Sequence, residues 1–317
     1  MGVRILNSGL LTSIQDIGRI EYQKFGISPS GALDQMALKI ANLLVNNPMG
    51  EAALEMTLMG AVIEFTASNV IAITGGNFSP TLNDSPVPLY TALAVKSGDT
   101  LAFGVAKTGC RSYIAFSGGL YVPIIMGSKS TNLKCKLGGY QGRPLKMGDE
   151  ISFAAPVETL PGLSRRIVPY YKREEKSITL RVVLGLQSDY FTEKGMNTFF
   201  GEEYTVTNRS DRMGCNLDGT AIECLSKTDI ISDGIPFGGI QVPNGGKPII
   251  MLSDRQTTGG YAKIATVISS DIPLLVQRKM GDKIRFKEIS IEQAQRIYTD
   301  DARMLEELQQ KLLRSKE

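Results

Sequence analysis

A chain of 317 residues, 42% hydrophobic and 21% charged, has the balance of an ordinary globular protein and the length for one large or two medium domains. Its net charge of +3 gives no footprint for nucleic acid or an anionic membrane. The absence of histidine excludes the Ser-His-Asp triad, the Cys-His dyad and histidine metal ligation, so any acid–base work falls to Asp, Glu, Lys, Tyr, Cys or a substrate group.

The N-terminus, Met1-Gly2-Val3-Arg4-Ile5-Leu6-Asn7, lacks the apolar run of a signal peptide. No stretch approaches the roughly 18 apolar residues of a membrane span. A cytoplasmic protein is expected, with no membrane or nucleic-acid partner. Cys110, Cys135, Cys215 and Cys224 are too widely spaced for a metal site or redox pair and are expected as buried, reduced thiols.

Most of the chain reads as β. Short segments at 61–65, 70–74, 101–105, 112–117, 180–184, 248–252 and 283–287 are rich in β-branched and apolar residues and bounded by Gly, Asn, Asp or Pro. Two helices interrupt them. One spans 33–44, where Met36, Ala37, Ile40, Ala41 and Leu44 recur at helical spacing. The other spans 292–313, with Ala294, Ile297, Leu305, Leu308 and Leu312 spaced along a charged background, a helix expected to pack on the second domain or on a partner.

The motif Gly-Asp-x-x-x-Phe occurs at 98–103, 148–153 and 281–286. It reads either as a repeated substrate loop or as a β-turn common to related barrels, and the turn is favoured. Residues 156–177, with three prolines and the run Lys172-Arg173-Glu174-Glu175-Lys176, form the best linker, its charges solvated. The expected domains are therefore 1–158 and 178–290, followed by a helical tail at 291–317.

Nucleotide fingerprints fail: Gly246-Lys247 is followed by Pro248, and Gln241 stands where a P-loop needs Gly. The polar, glycine-punctuated segments are the candidates that remain. Ser30, in Ser28-Pro29-Ser30-Gly31-Ala32-Leu33-Asp34, is either the N-cap of the first helix or part of a loop offering N–H groups to an anion, with Asp34 beside it. Glu55, among apolar neighbours, is either a buried ion-pair partner or a site carboxylate. Arg111 and the donor-rich Gly127-Ser128-Lys129-Ser130-Thr131 suit a carboxylate or phosphate.

In the second half, Ser210-Asp211-Arg212 sets opposite charges in a turn, and Ser232 and Gln241 lie in further glycine-flanked segments. The richest stretch runs from Gln256 through Thr258, Gly259 and Gly260 to Tyr261 and Lys263. On a strand Tyr261 and Lys263 share one face, beside glycines that allow a ligand close to the backbone. Lys263, Tyr261, Asp211 and Arg212 are the expected catalytic groups; the other candidates named here are expected to bind substrate.

Taken in order, Gly9-Leu10-Leu11-Thr12-Ser13-Ile14-Gln15-Asp16-Ile17-Gly18-Arg19, 210–214, 238–243 and 256–266 resemble the carboxyltransferase-domain family, also described as allophanate hydrolase subunit 2 or urea amidolyase-related proteins. The resemblance covers nearly the whole chain. It implies a mainly β fold of two cyclophilin-like β-barrel domains with a cleft between them, plus the C-terminal helix. It also implies membership of a three-part, ATP-dependent 5-oxoprolinase that cleaves 5-oxo-L-proline to L-glutamate. The implied partners are a kinase-inhibitor-like protein, the B subunit, and a third protein, the A subunit. ATP is then used by the complex, not held by a standard loop on this chain. Two alternatives remain: a biotin-dependent carboxyltransferase acting on urea or another amide, and a regulatory antagonist of a histidine-kinase inhibitor. The chain departs from relatives that carry a histidine before the Ser-Asp-Gly segment, having Glu223-Cys224-Leu225 there.

Overall fold

The computed structural model describes residues 1–169, 175–226 and 228–314. Positions 172–174 of the charged run, part of the expected linker and the last three residues of the tail lie outside them. The chain forms two compact units: Met1–Arg19 with Ser30–Glu174 and Arg303–Glu317, and Ile20–Pro29 with Glu175–Ala302. The division is not a single cut, since a short early segment and most of the sequence after 175 group together.

In the first unit the strands lie in two sheets. One has the order Glu150–Ser152, Gly2–Asn7, Val62–Phe65, Thr100–Ala102, Thr81–Leu82, Ser85–Pro86; the other has Leu11–Gln15, Ala53–Thr57, Thr108–Phe116, Asn69–Asn77, Ala92–Val95. Alternation assigns the faces. Ile14, Leu54, Met56, Ile71, Ile73, Ile114 and Phe116 join Val3, Ile5, Ile63, Phe65, Leu101 and Ile151 of the other sheet in one apolar cluster. The opposite face of the five-stranded sheet presents small residues (Ala53, Ala72, Ala92, Ala115), which let helix α1 (Gln35–Leu44) pack against it through Ala37, Leu38, Ala41 and Leu44.

The expected helix therefore exists, but its cap differs. Asp34, not Ser30, is the N-cap: its Oδ1 accepts the Ala37 N–H at 2.9 Å. The other end is held by Arg166, whose Nη1 donates to the carbonyls of Leu43 and Leu44 at 3.2 and 3.0 Å. A cation at a helix C-terminus is favoured by the helix dipole.

The second unit closes its strands into a barrel in the order Ser177–Leu184, Lys263–Val267, Gly239–Gln241, Ile249–Met251, Gly214–Asp218, Tyr204–Val206, Lys283–Glu288. Closure is completed by the parallel pairing of Lys283–Glu288 with Ser177–Leu184. Helix α2 (Glu193–Gly201) is capped by Thr192 and lays Phe199 on Phe286, ring centroids 4.5 Å apart. The four-residue helix α3 (Ile272–Leu275) follows the Lys263–Val267 strand.

The last helix, α4 (Ile291–Arg314), starts with a capping box: the Gln293 N–H donates to Ser290 Oγ, and the Ser290 N–H to Gln293 Oε1. Residues 291–302 of this helix group with the second unit, as expected from sequence. From Arg303 onward it belongs to the first unit, where Leu305 and Leu312 complete the cluster under α1. Arg166 also reaches the Leu312 carbonyl, at 3.4 Å, so one buried guanidinium serves the last turns of two helices.

The three Gly-Asp motifs are turns built alike. Gly98, Gly148 and Gly281 have φ of +92°, +88° and +92°. In each, the Asp N–H returns to the carbonyl of the lysine three residues earlier, and the Asp carboxylate accepts that lysine's N–H: Asp99 with Lys96, Asp149 with Lys146, Asp282 with Lys279. The shared geometry is that of a type II turn, with Gly at the third position. No atom lies within 4 Å of a Cβ added at these glycines. Gly148→Ala should therefore cost about 1–2 kcal/mol, all of it left-handed backbone strain, readable as a shift in urea midpoint.

Candidate functional site

Buried polar networks in each unit contain several of the expected site residues.

In the first unit, Ser13, Glu55 and Tyr113 lie in line across three neighbouring strands. Glu55 Oε2 accepts the Tyr113 hydroxyl at 2.7 Å and the Leu33 N–H at 2.9 Å, and the Tyr113 oxygen accepts the Asp34 N–H at 2.8 Å. Burial first, then the charges of Glu55 and Asp34, push the Tyr113 phenol well above its ordinary pKa. Glu55 and Tyr113 thus hold the loop that enters α1. Gly31 in that loop has φ +93° and backs onto the Ile17–Gly18 backbone too closely for a side chain. Ser30 is buried at φ +57°, and its Oγ has no hydrogen-bond partner.

Ser128 and Ser130, expected as donors to an anionic ligand, both donate instead to Asp16 Oδ1, at 2.7 and 2.5 Å. Asp16 Oδ1 also takes the Gly18 N–H, and Oδ2 the Lys129 N–H at 2.6 Å. Lys129 Nζ pairs with Glu51 at 2.6 Å, and the Thr131 hydroxyl donates to the Ile14 carbonyl. Asp16 therefore organises the donor-rich loop internally. Arg111 is buried on the strand Thr108–Phe116, opposite Thr57.

In the second unit, Asp211 and Arg212 are adjacent but serve separate partners. Asp211 Oδ1 accepts the N–H groups of Met213 and Gly214, closing a turn. Arg212 makes a two-point ion pair with Asp254, at 2.9 and 3.3 Å. Ser210 Oγ accepts the Asn216 N–H and donates to its carbonyl. Each of these three residues thus makes contacts that shape the local backbone. Gln256 is exposed on the loop before Thr258–Tyr261. Nearby, Arg255 is lowered to about 10 by burial and donates to the Ile235 and Leu252 carbonyls.

Tyr261 and Lys263 do not share a face. Thr258–Tyr261 pairs with Asp229–Gly234 in a two-stranded ribbon, whereas Lys263 begins a barrel strand; the chain changes sheets at Ala262. Tyr261 is 40% exposed and Lys263 only 7%. Lys263 stands opposite Gln241 instead. Between Ile240↔Ala265 and Gln241↔Lys263 the ladder advances one residue on one strand and two on the other, an irregularity that sets the two side chains side by side.

Around this pair the ribbon supplies Asp233, whose Oδ2 is 3.3 Å from Lys263 Nζ. That is an ion-pair distance without aligned hydrogen-bond geometry: Lys263 Nζ and Gln241 Nε2 are both shielded from solvent and have no hydrogen-bond partner. The Gly234 N–H first, and then Lys263, hold the Asp233 carboxyl below its ordinary pKa. Gln187 braces the cluster. Its Oε1 accepts the Lys263 backbone N–H at 3.1 Å, and its Nε2 donates to Asp233 Oδ2 at 3.3 Å. Gly259 makes room, because a Cβ there would lie 2.9 Å from Gln241 Nε2. Gly260 and the exposed Ser232 and Thr258 belong to the same ribbon.

Sequence reasoning gave no site role to Asp16, Tyr113 or Gln187, and passed over Asp233 as part of a glycine-flanked segment. No local pattern marks them; their partners are up to 114 residues away in sequence. Cys110 and Cys215 are buried as expected, but Cys224 is only half-buried and Cys135 is exposed. Among the described residues no cluster of His, Cys, Asp or Glu could hold a metal, and no helix is long and apolar enough to cross a membrane.

The fold is mainly β, and its barrel sets two buried N–H donors, Lys263 Nζ and Gln241 Nε2, on adjacent strands. The chain belongs to the carboxyltransferase domain family (subdomains A and B), whose model matches residues 25–288. It is 36% identical to the 5-oxoprolinase C subunit of Escherichia coli over 309 residues, covering 96% of this chain and 97% of that protein. The corresponding protein of Haemophilus influenzae is 33% identical, with 96% and 98% covered. The urea amidolyase of Kluyveromyces lactis superimposes with a TM-score of 0.89 at 29% identity, across 97% of this chain but only 20% of that much longer enzyme.

Proposed function

We propose that this chain is the C subunit of an ATP-dependent 5-oxoprolinase, acting with the A and B subunits to open 5-oxo-L-proline to L-glutamate. Near full-length similarity to two proteins of that name supports the reading. The observation that carries it to a site is a pair of buried donors on adjacent strands: Lys263 Nζ, ion-paired with Asp233 but without an aligned hydrogen bond, and Gln241 Nε2, without a partner. Leaving a buried donor without a hydrogen bond costs about 1–3 kcal/mol, and a bound carbonyl oxygen would supply one to each. The lactam is a stable amide. Its opening needs negative charge to develop on that oxygen, whether toward phosphoryl transfer from ATP or toward attack by water, and preorganised donors stabilise such charge. Tyr261, exposed on the ribbon, is at most an outer proton donor.

A second reading, transfer of a carboxyl group from carboxybiotin to urea, is favoured by the superposition on urea amidolyase. Urea and the biotin ring present the same N–C=O unit to the same donors. Assay of the purified chain, with and without the A and B subunits and ATP, tests the first reading. Turnover of 5-oxoproline is expected only from the assembled mixture. Turnover by the chain alone would remove the assignment to a multi-subunit complex. If the B subunit binds but the full mixture shows no turnover, the regulatory role is favoured.

A further inference from the structure

Asp233, Lys263 and Gln241 set a hydrogen-bond acceptor beside two donors, and the order of these groups discriminates among amides. In a lactam or cyclic urea, N–H and C=O point toward one edge, with N and O about 2.2 Å apart from standard bond lengths and angles. In an ordinary trans secondary amide they point to opposite edges. We infer that this cluster reads the cis edge of an amide, the Asp233 carboxylate accepting the ligand N–H while Lys263 and Gln241 donate to its carbonyl oxygen. The inference deepens the proposed function and rests on its placement of the N–C=O unit.

Each group has capacity for its part. Asp233 Oδ1 accepts the Gly234 N–H at 2.7 Å, and Oδ2 the Gln187 amide at 3.3 Å. A carboxylate offers about four lone-pair sites, so acceptor capacity remains. Asp233 Oδ2 and Lys263 Nζ are 3.3 Å apart, a separation at which one ligand edge meets both. Gln241 Nε2 has both its protons unspent. Gln187, tied to the Lys263 backbone and to Asp233, keeps acceptor and donor in register as a positioning residue.

The ribbon of Asp229–Gly234 and Thr258–Tyr261 lies against the donors and has a register break between Asp229 and Asp233.

Titrating the full chain, without partners or ATP, by ligand-observed NMR tests this separately from turnover. Three probes are compared: 2-pyrrolidinone has the cis edge, N-methyl-2-pyrrolidinone has the ring without the N–H, and N-methylacetamide is acyclic and trans. The first should bind at least about 10-fold more tightly than the others, the scale of a hydrogen bond to a charged group. Asp233→Ala, on an exposed ribbon, should bring 2-pyrrolidinone down to the level of its N-methyl analogue and leave the analogue unchanged. Equal affinities, no binding of 2-pyrrolidinone, or a preference that survives Asp233→Ala would overturn the inference. An inactive assembled complex would count against the proposed function alone.

Discussion

Lys263→Ala should lower turnover of the proposed 5-oxoprolinase complex by about 100-fold or more, the scale of losing a preorganised electrostatic stabiliser. The expectation rests on burial. Lys263 is 7% exposed, its Nζ is shielded from water, and Asp233 with Gln187 fixes where it lies. Its ion-pair partner is present in the assay range as well. The carboxyl of Asp233 is held below its ordinary pKa, so it stays ionised at neutral pH, and the pairing is lost only as pH falls through that depressed value.

The fold should survive Lys263→Ala. The Asp233 side chain is 57% exposed and can be hydrated once its partner is gone, so no buried charge is stranded. The buried stem contributes about 1–2 kcal/mol, which thermal unfolding would register as a modest shift. Lys263→Arg keeps the charge but brings a planar fork to a space shaped for a compact ammonium, and should restore little. Turnover, thermal stability and association with the other subunits, measured on the same three proteins, separate the possibilities. Unchanged turnover removes Lys263 from the site, and turnover lost together with that association makes it an interface residue.

The largest stability effect is expected at Asp16. Its buried carboxylate accepts the hydroxyls of Ser128 and Ser130 and the N–H groups of Lys129 and Gly18. Asp16→Ala leaves four donors without their acceptor, and we expect a loss of about 3–5 kcal/mol from hydrogen bonds to a charged group that do not add fully. Asp16→Asn retains one acceptor oxygen but turns an amide donor toward other donors, so it should recover little. Urea unfolding, followed by a tyrosine probe in the first unit, reads the change as a lower midpoint at constant slope. A shift below about 1 kcal/mol would show that solvent replaces the carboxylate readily, and would return Ser128 and Ser130 to candidacy as ligand donors. With the larger loss, Ser128→Ala and Ser130→Ala should lower stability and leave substrate affinity unchanged.

Local pattern carried much of the fold. The alternation in Ile71-Ala72-Ile73 and Ile114-Ala115-Phe116 marks strands because period-two spacing fits only a pleated backbone. The spacing of Ala37, Ile40, Ala41 and Leu44 marks α1 for the corresponding reason at period 3.6. The three Gly-Asp turns are legible because their hydrogen bonds close within four residues. Caps were less secure. Ser30 and Asp34 are both good capping residues, and choosing between them needed the backbone angle of Ser30. The docking of α4 was legible only in part: residues 291–302 group with the second unit as expected and those from 303 on with the first, since amphipathic spacing identifies an apolar stripe but not the surface that covers it.

The candidate site divides along the same line. Sequence alone determined that histidine chemistry is absent, and it singled out Lys263, Gln241 and Gly259 as residues of interest, because composition and glycine spacing are local properties. Tertiary structure decided that Tyr261 leaves the barrel, that an irregular ladder sets Gln241 beside Lys263, and that Gln187 and Asp233 complete the cluster. It likewise turned Ser128 and Ser130 from free donors into partners of Asp16. The reason is physical: whether a donor is spent or unspent depends on which acceptor the fold brings within about 3 Å of it, and that pairing is set by strand register across the chain rather than by its neighbours in sequence.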